Sequence, residues 1–335
     1  MKNDPRSARP DGPDSPDGPR EDAAEPAPPA CVLSFNANDP SGAGGLAGDV
    51  ATVAAMGGHP LTVVTSILMR DTAEVFDHVP IDEEAVVEQA RTILEDITVS
   101  GWKVGFLGSA DTVAAVAEVL SDYPDVPLVA YVPDLSWLDE DQLQPYLDAY
   151  RELILPATEV LVGNLKTLTD LLLPDWDSER PASARELAVA AGDRGTRYVL
   201  VTGIALPARG ATPYIDNVLA SPQGALTGEK FERFDTAFVG SGETLSAALA
   251  SLLAAGSELQ AAVGEALAFL DQSLDAGFRP GMGNVVPDRF FWALPTAEAE
   301  LADGTESATG EGDDTEEPDD AGSRPPEQET KRRVH

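Results

Sequence analysis

Six short runs of apolar and β-branched residues, spaced by stretches with helical periodicity, constrain this chain most: Cys31–Phe35, Leu61–Ile67, Trp102–Leu107, Leu128–Val132, Glu159–Val162 and Tyr198–Thr202. Several are nearly continuously apolar rather than alternating, which suits strands buried on both faces of a parallel sheet. Helical patterns lie between them at Leu46–Met56, Glu83–Asp96, Ala110–Leu120, Asp139–Leu153 and Ser183–Arg194, and two more follow at Thr244–Ala255 and Glu258–Ala276. Parallel neighbours need a crossover connection, so this alternation predicts an α/β domain with helices on both faces of a mostly parallel sheet. From Thr212 to Phe234 the pattern changes, and Ser221-Pro-Gln-Gly224 predicts an antiparallel hairpin on the sheet edge. There is no internal repeat.

Of the 335 residues, 1–30 and 297–335 lack any apolar run and are expected to be disordered, the second as an acidic tail with a small basic end. The remainder, 31–296, is expected to form one domain. Of the net charge of −36, the tails supply −3 and −9, leaving −24 on the body. That charge repels nucleic acid and anionic membranes, so an anionic ligand must be held by local donors or a metal ion. No apolar stretch reaches the ~18 residues of a membrane span. The single cysteine, Cys31, permits no internal disulfide. A reducing, cytoplasmic setting is expected.

Two glycine-rich segments each open a predicted helix: Asn38-Asp-Pro-Ser-Gly-Ala-Gly-Gly-Leu-Ala-Gly-Asp49 and Val239-Gly-Ser-Gly-Glu-Thr-Leu-Ser246. In the second, Leu245, Ala248, Leu249, Leu252 and Leu253 form one apolar face, placing Gly240, Ser241 and Gly242 at the helix mouth. Unpaired N–H groups and the positive dipole end there favour a phosphate, and glycines permit close backbone approach. Glu243 sits at that mouth. It can stabilise its own helix through the dipole, or act as a general base toward a hydroxyl while neighbouring N–H groups hold a transferring phosphoryl group.

The first segment matches neither a Walker A loop nor Gly-x-Gly-x-x-Gly, and by itself fits either a tight turn with a packed helix start or a ligand site. Asp49, in an otherwise small and apolar helix, can face solvent or accept hydrogen bonds from a polar ligand. In an open α/β sheet, ligands bind beyond the carboxyl ends of the strands. Asp39, Arg70, Gly105 to Ser109, Asp134, Asn164 and Gly203 all follow predicted strands and gather on that rim. His59, before a strand, and His78, in a loop, stand without a Ser or Cys elbow, which disfavours a hydrolase triad. No His/Cys spacing suits zinc, so any metal is expected to be magnesium on oxygen ligands.

Over about residues 31 to 295 the chain resembles the hydroxymethylpyrimidine/phosphomethylpyrimidine kinases of thiamine biosynthesis, within the ribokinase-like superfamily. The resemblance rests on Asn38-Asp-Pro-Ser-Gly-Ala-Gly-Gly, Thr62-Val-Val-Thr-Ser with Asp71-Thr72, Lys103-Val-Gly-Phe-Leu-Gly-Ser109 and Gly240-Ser-Gly-Glu-Thr-Leu-Ser-Ala-Ala248, in the same order and spacing. It implies a ribokinase-like fold, ATP as co-substrate, Mg2+, a small pyrimidine alcohol or its phosphate as substrate, and a homodimer. It also implies substrate contacts from Asp39, Gly44, Gly45, Asp49, Arg70 and Phe106. Gly240, Ser241 and Gly242 would form the anion hole, Glu243 the base, and Asn164, Thr202 and Gly203 would face the nucleotide, with no dedicated metal ligand.

Departures from the family pattern fall on chemistry. Glu243 stands where these kinases usually have Cys and related sugar and pyridoxal kinases have Asp. Arg70 replaces a Glu or Gln that pairs with the aminopyrimidine, and Arg has no acceptor. Val132 stands where an Asp belongs, with Asp134 two positions late. Asn164-Leu-Lys-Thr167 lacks the Glu of Asn-x-x-Glu, although Lys166 offers charge, and Thr202 stands where many members carry Lys. Three readings follow: a pyrimidine kinase using Glu243, a weak or inactive paralogue that binds a ligand or partner, and a kinase whose substrate has shifted toward an acidic or phosphorylated alcohol through Arg70.

Overall fold

A computed structural model describes residues 28–207 and 212–293. The expected tails therefore lie almost wholly outside the described residues. Contacts divide the chain after Phe291, and the fold below is that of the part ending there.

The strands are β1 (Cys31–Asn38), β2 (His59–Arg70), β3 (Val75–Pro80), β4 (Gly101–Val104), β5 (Leu128–Tyr131), β6 (Val160–Asn164), β7 (Tyr198–Ala205), β8 (Tyr214–Ser221) and β9 (Gly224–Glu232). They form one sheet in the order β3-β2-β1-β4-β5-β6-β7-β8-β9. The central β2-β1-β4-β5-β6-β7 block is parallel, while β3, β8 and β9 pair antiparallel at the two edges. The β8–β9 hairpin turns at the Ser221–Gly224 site expected from the sequence.

Helices cover both faces. On one lie α1 (Gly45–Ala55), α7 (Ser241–Ala254) and α8 (Leu259–Asp275), whose Val53, Leu245, Leu249, Val263 and Leu267 pack with Val32, Val129 and Leu200 of the sheet. On the other lie α2 (Glu83–Leu94), α3 (Ala110–Ser121), α4 (Glu140–Ala149), α5 (Leu165–Leu172) and α6 (Ala184–Gly192), covering Leu33, Phe35, Val104 and Leu161. Alternate residues of a strand point to opposite faces, so the central strands are mostly apolar on both, with Ser34, Asn36 and Lys103 as buried polar exceptions. Local sequence sets the helix starts: Asp82 accepts from the N–H groups of Glu84 and Ala85, and Ser183 and Glu186 form a reciprocal capping box.

The structure corrects several sequence expectations. His78 lies on β3, not in a loop, and its ring packs edge-on against Phe106 and Trp137. The third expected strand stops at Val104 rather than Leu107, because the Asn36 side chain accepts the Phe106 N–H at 3.0 Å in place of a ladder bond. The expected Asp139–Leu153 helix ends at Ala149 and continues as a π-helical turn, Tyr150–Ile154. Gly242 falls inside α7, one residue beyond its first position, rather than ahead of the helix.

Candidate active site

The two glycine-rich segments meet at the carboxyl ends of the central strands. Gly240, the N-cap of α7, has φ 88°, and a side chain there would collide with the Ala43 carbonyl. Gly45, at the start of α1 with φ 56°, also lies too close to the Ala37 carbonyl to accept a side chain. Only glycine permits both approaches. They set the Glu243 side chain against α1: a methyl group at Gly44 would lie 3.0 Å from the Glu243 carboxyl carbon. By helix geometry the N–H groups of Ser241 and Gly242 have no acceptor on the preceding turn, so an anion at this point meets open donors.

Beneath the two helix mouths runs a buried polar network. Lys103 of β4, fully buried, places Nζ 2.9 Å from Oδ1 and 3.0 Å from Oδ2 of Asp49. Asn36 donates to Asp49 Oδ2 at 3.0 Å and accepts from the N–H groups of Ala37 and Phe106. The Lys103 ammonium also lies 5.8 Å from the centre of the Tyr131 ring, which packs directly beneath Gly242. The solvent-facing alternative for Asp49 is thereby corrected: its carboxylate is buried and held by a cation, since an unpaired charge at such depth would be costly.

Asp39, after β1, is also committed. Its Oδ1 accepts from Ser41 N and Oγ at 2.8 and 2.6 Å, its Oδ2 accepts from Gly44 N at 3.0 Å, and Arg70 Nη1 lies 3.5 Å away. Arg70 also donates through Nε to its neighbour's carbonyl, that of Asp71. Arg70, Asn36, Gly45, Phe106, Asp134 and Glu243 share the wall of a cavity of about 60 Å³. Burial pushes the Glu243 carboxyl above the usual 4.5, and Asp49 adds to that, while Lys103, the residue's own N–H and Arg70 pull it back. Burial and then Glu243 likewise hold the Tyr131 hydroxyl well above its ordinary value.

Asn164, Thr202 and Gly203 lie further along the rim in a different setting. Asn164 Oδ1 accepts the Thr167 N–H at 2.9 Å and so caps α5, a helix that the sequence reading passed over. Thr202 Oγ1 donates to the Gly163 carbonyl at 3.3 Å, and Gly203 N donates to Asn217 Oδ1 at 2.9 Å. Lys166 pairs with Asp170 at 2.9 Å and lies 4.0 Å from Asp134, which holds its ammonium protonated above the usual range. Its charge is already engaged. Among the described residues no three His, Cys, Asp or Glu side chains converge as a metal cage. Asp134, at the edge of both this region and the cavity, is an exposed carboxylate that can take part of a magnesium shell completed by phosphate oxygens and water.

Two buried cations of this network, Lys103 and Arg289, went unassigned in the sequence. Lys103 carried a legible signal, because a lysine inside an apolar strand requires a buried carboxylate. Arg289 carried none. It reaches the Gly42 and Ala43 carbonyls and Thr244 Oγ1 from a short irregular segment far along the chain.

Comparison with known proteins agrees with this geometry. The chain is 30% identical over 267 residues to a hydroxymethylpyrimidine/phosphomethylpyrimidine kinase of Streptomyces coelicolor, covering 78% of this chain and 95% of that protein. It is 30% identical over 269 residues to the thiamine biosynthesis multifunctional protein ThiED of Corynebacterium efficiens, covering 77% of this chain but only 35% of that longer protein. Bacillus subtilis pyridoxal kinase, solved as an ADP complex, superposes with a TM-score of 0.67 at 24% identity, covering 79% of this chain and 99% of that one, and shows a shared ribokinase-like fold. A family model described as phosphomethylpyrimidine kinase matches residues 39–288, and the chain belongs to that family.

Proposed function

We propose that the protein is an ATP-dependent kinase that phosphorylates the hydroxymethyl group of hydroxymethylpyrimidine, or the phosphate group of its monophosphate, in thiamine biosynthesis. The observation that carries this reading is the seating of the Glu243 carboxylate in the first turn of α7 against Gly44, where a base, open N–H donors and the substrate segment converge. With hydroxymethylpyrimidine as acceptor, Glu243 takes the hydroxyl proton as the alcohol oxygen bonds to the γ-phosphorus. The bond from that phosphorus to the β–γ bridging oxygen breaks, and ADP departs with its electron pair. The N–H groups of Ser241 and Gly242 hold the equatorial oxygens as their charge shifts. Magnesium, shared by Asp134 and the phosphates, would supply neutralisation of the phosphate charge.

Arg70 supports a second reading, a substrate bearing an acidic group. Its guanidinium lines the cavity beside Asp39 where relatives present an acceptor to the aminopyrimidine. At about 60 Å³ the cavity is well below the roughly 300 Å³ of ordinary ligand pockets, so part of its wall moves when a pyrimidine enters. Arg70→Gln separates the readings: a gain of turnover on the neutral pyrimidine alcohol assigns the specificity change to Arg70.

The same reading extends to the assembly and the cellular setting. Among the described residues no helix is long and apolar enough to cross a membrane. A homodimer is supported by Ile67, Met69, Phe76 and Val79, which leave apolar surface exposed on the β2–β3 edge. Sedimentation velocity tests it. The lone cysteine supports a cytoplasmic location. The kinase reading itself is tested by ATP consumption with each pyrimidine, beside Glu243→Gln.

A further inference from the structure

Arg289 is a buried cation in a position that the reaction scheme leaves unused. Its Nε donates to Thr244 Oγ1 at 3.0 Å, Nη1 to the Gly42 carbonyl at 3.4 Å and Nη2 to the Ala43 carbonyl at 2.5 Å. Two glycines make room for it. A methyl group at Gly48 or at Gly240 would each stand 3.0 Å from Nη2. Part of the glycine pattern of both motifs is therefore space for this guanidinium.

The contacts propagate in both directions. The Gly42 and Ala43 carbonyls are held by Arg289, and the amides that follow them are held from the other side, Ala43 N by Ser41 Oγ at 3.3 Å and Gly44 N by Asp39 Oδ2 at 3.0 Å. Asp39 in turn lies beside Arg70 in the cavity wall. Toward α7, Thr244 is the residue after Glu243. Burial lowers the Arg289 pKa, while Glu243, Asp49, Asp39 and Asp288 counter that and favour the charged form.

We propose that Arg289 is a positioning residue for phosphoryl transfer, its guanidinium setting the spacing between the substrate loop Gly42–Gly45 and the base-bearing first turn of α7. This rests on the kinase reading above. A planar fork of donors reaches two carbonyls and a hydroxyl at once, which an ammonium on a flexible stem cannot do. Misplacement by about 1 Å can cost on the order of 100-fold in rate even when the altered residue touches no reacting atom.

The test uses the full chain as Arg289→Lys, which keeps the charge, and Gly48→Ala, which presses on the guanidinium without removing it. For Arg289→Lys, kcat is expected to fall about 10- to 100-fold while KM for ATP stays within about twofold. Gly48→Ala is expected to lose kcat in the same sense by a smaller factor. Amide hydrogen exchange should show residues 42–44 and 244–247, whose N–H groups are bonded, losing protection together, with the sheet unchanged. An Arg289→Lys protein with wild-type kcat, a loss only in proportion to the folded fraction, or loosening of one segment alone would overturn the proposal. If the wild type turns over neither pyrimidine, the kinase reading fails, and the exchange experiment still decides whether Arg289 couples the two segments.

Discussion

The proposed substrate side of the rim and its proposed nucleotide side are built differently. On that substrate side three charged side chains are sealed: Asp39 and Lys103 are 0% exposed and Asp49 is 1% exposed, each with its partner in place. On the nucleotide side Lys166, Asp134 and Asp170 are 67%, 60% and 56% exposed, and their pairing is the loose pairing of a surface. The charged network of the first half is set in place by its own partners, which in the proposed reaction fixes the frame around the base before the alcohol enters. The second half remains open to a ligand that brings its own charge and counterion. The departures from the family pattern follow the same division. Asn164 and Thr167 satisfy each other as a helix cap, and Thr202 bonds to backbone, whereas Glu243 replaces one reactive group by another.

The largest expected effect breaks the sealed half. Lys103→Met leaves the Asp49 carboxylate buried without its cation and is expected to cost about 3–5 kcal/mol, read by urea unfolding. The double variant Lys103→Met with Asp49→Leu is expected to lie closer to wild type than either single change, because the desolvation cost leaves with the pair. If the two single losses simply add, the pair is not coupled as described.

On the open half the effects shrink. Asn164→Ala removes the cap of α5 and is expected to cost about 1 kcal/mol, whereas Lys166→Ala should change stability by less than about 0.5 kcal/mol. A loss at Lys166 comparable to that at Lys103 would erase the contrast between the halves.

Glu243 gives an effect of opposite sign. Its folded pKa lies above the unfolded 4.5, so the folded state binds the proton more tightly. Its contribution to stability is fully present below the unfolded value and is lost as pH rises through the folded one. At neutral pH the ionised carboxylate therefore costs stability, and Glu243→Gln is expected to raise Tm by about 1–2 °C. Below the unfolded value that gain should vanish. For the same reason the acid limb of kcat should turn above pH 4.5.

Much of the fold was legible because burial on both faces writes a mostly apolar run into the central strands. β3 escaped because Val75-Phe-Asp-His-Val-Pro80 is a mostly exposed edge strand carrying Asp, His and a terminal Pro, with little of that signal. α5 escaped because it spans eight residues and starts on an Asn that had been assigned to ligand binding. At the site, local spacing disclosed the two glycine segments, since a helix start is a local event. Asp49 could not be placed until its distant partner was known, and the Arg289 clamp depends on a fold-level approach of three segments that no local pattern encodes.

The most direct measurement of the central claim is ATP turnover by the wild type and by Glu243→Gln, with hydroxymethylpyrimidine and its monophosphate as acceptors in the presence of magnesium. The expected result is turnover of hydroxymethylpyrimidine, whose hydroxyl proton the base removes, lowered by about 10²–10⁴-fold in the variant with its folded state intact. Equal turnover in both proteins, or none in the wild type with either acceptor, would contradict the account of Glu243 as the base of a pyrimidine kinase.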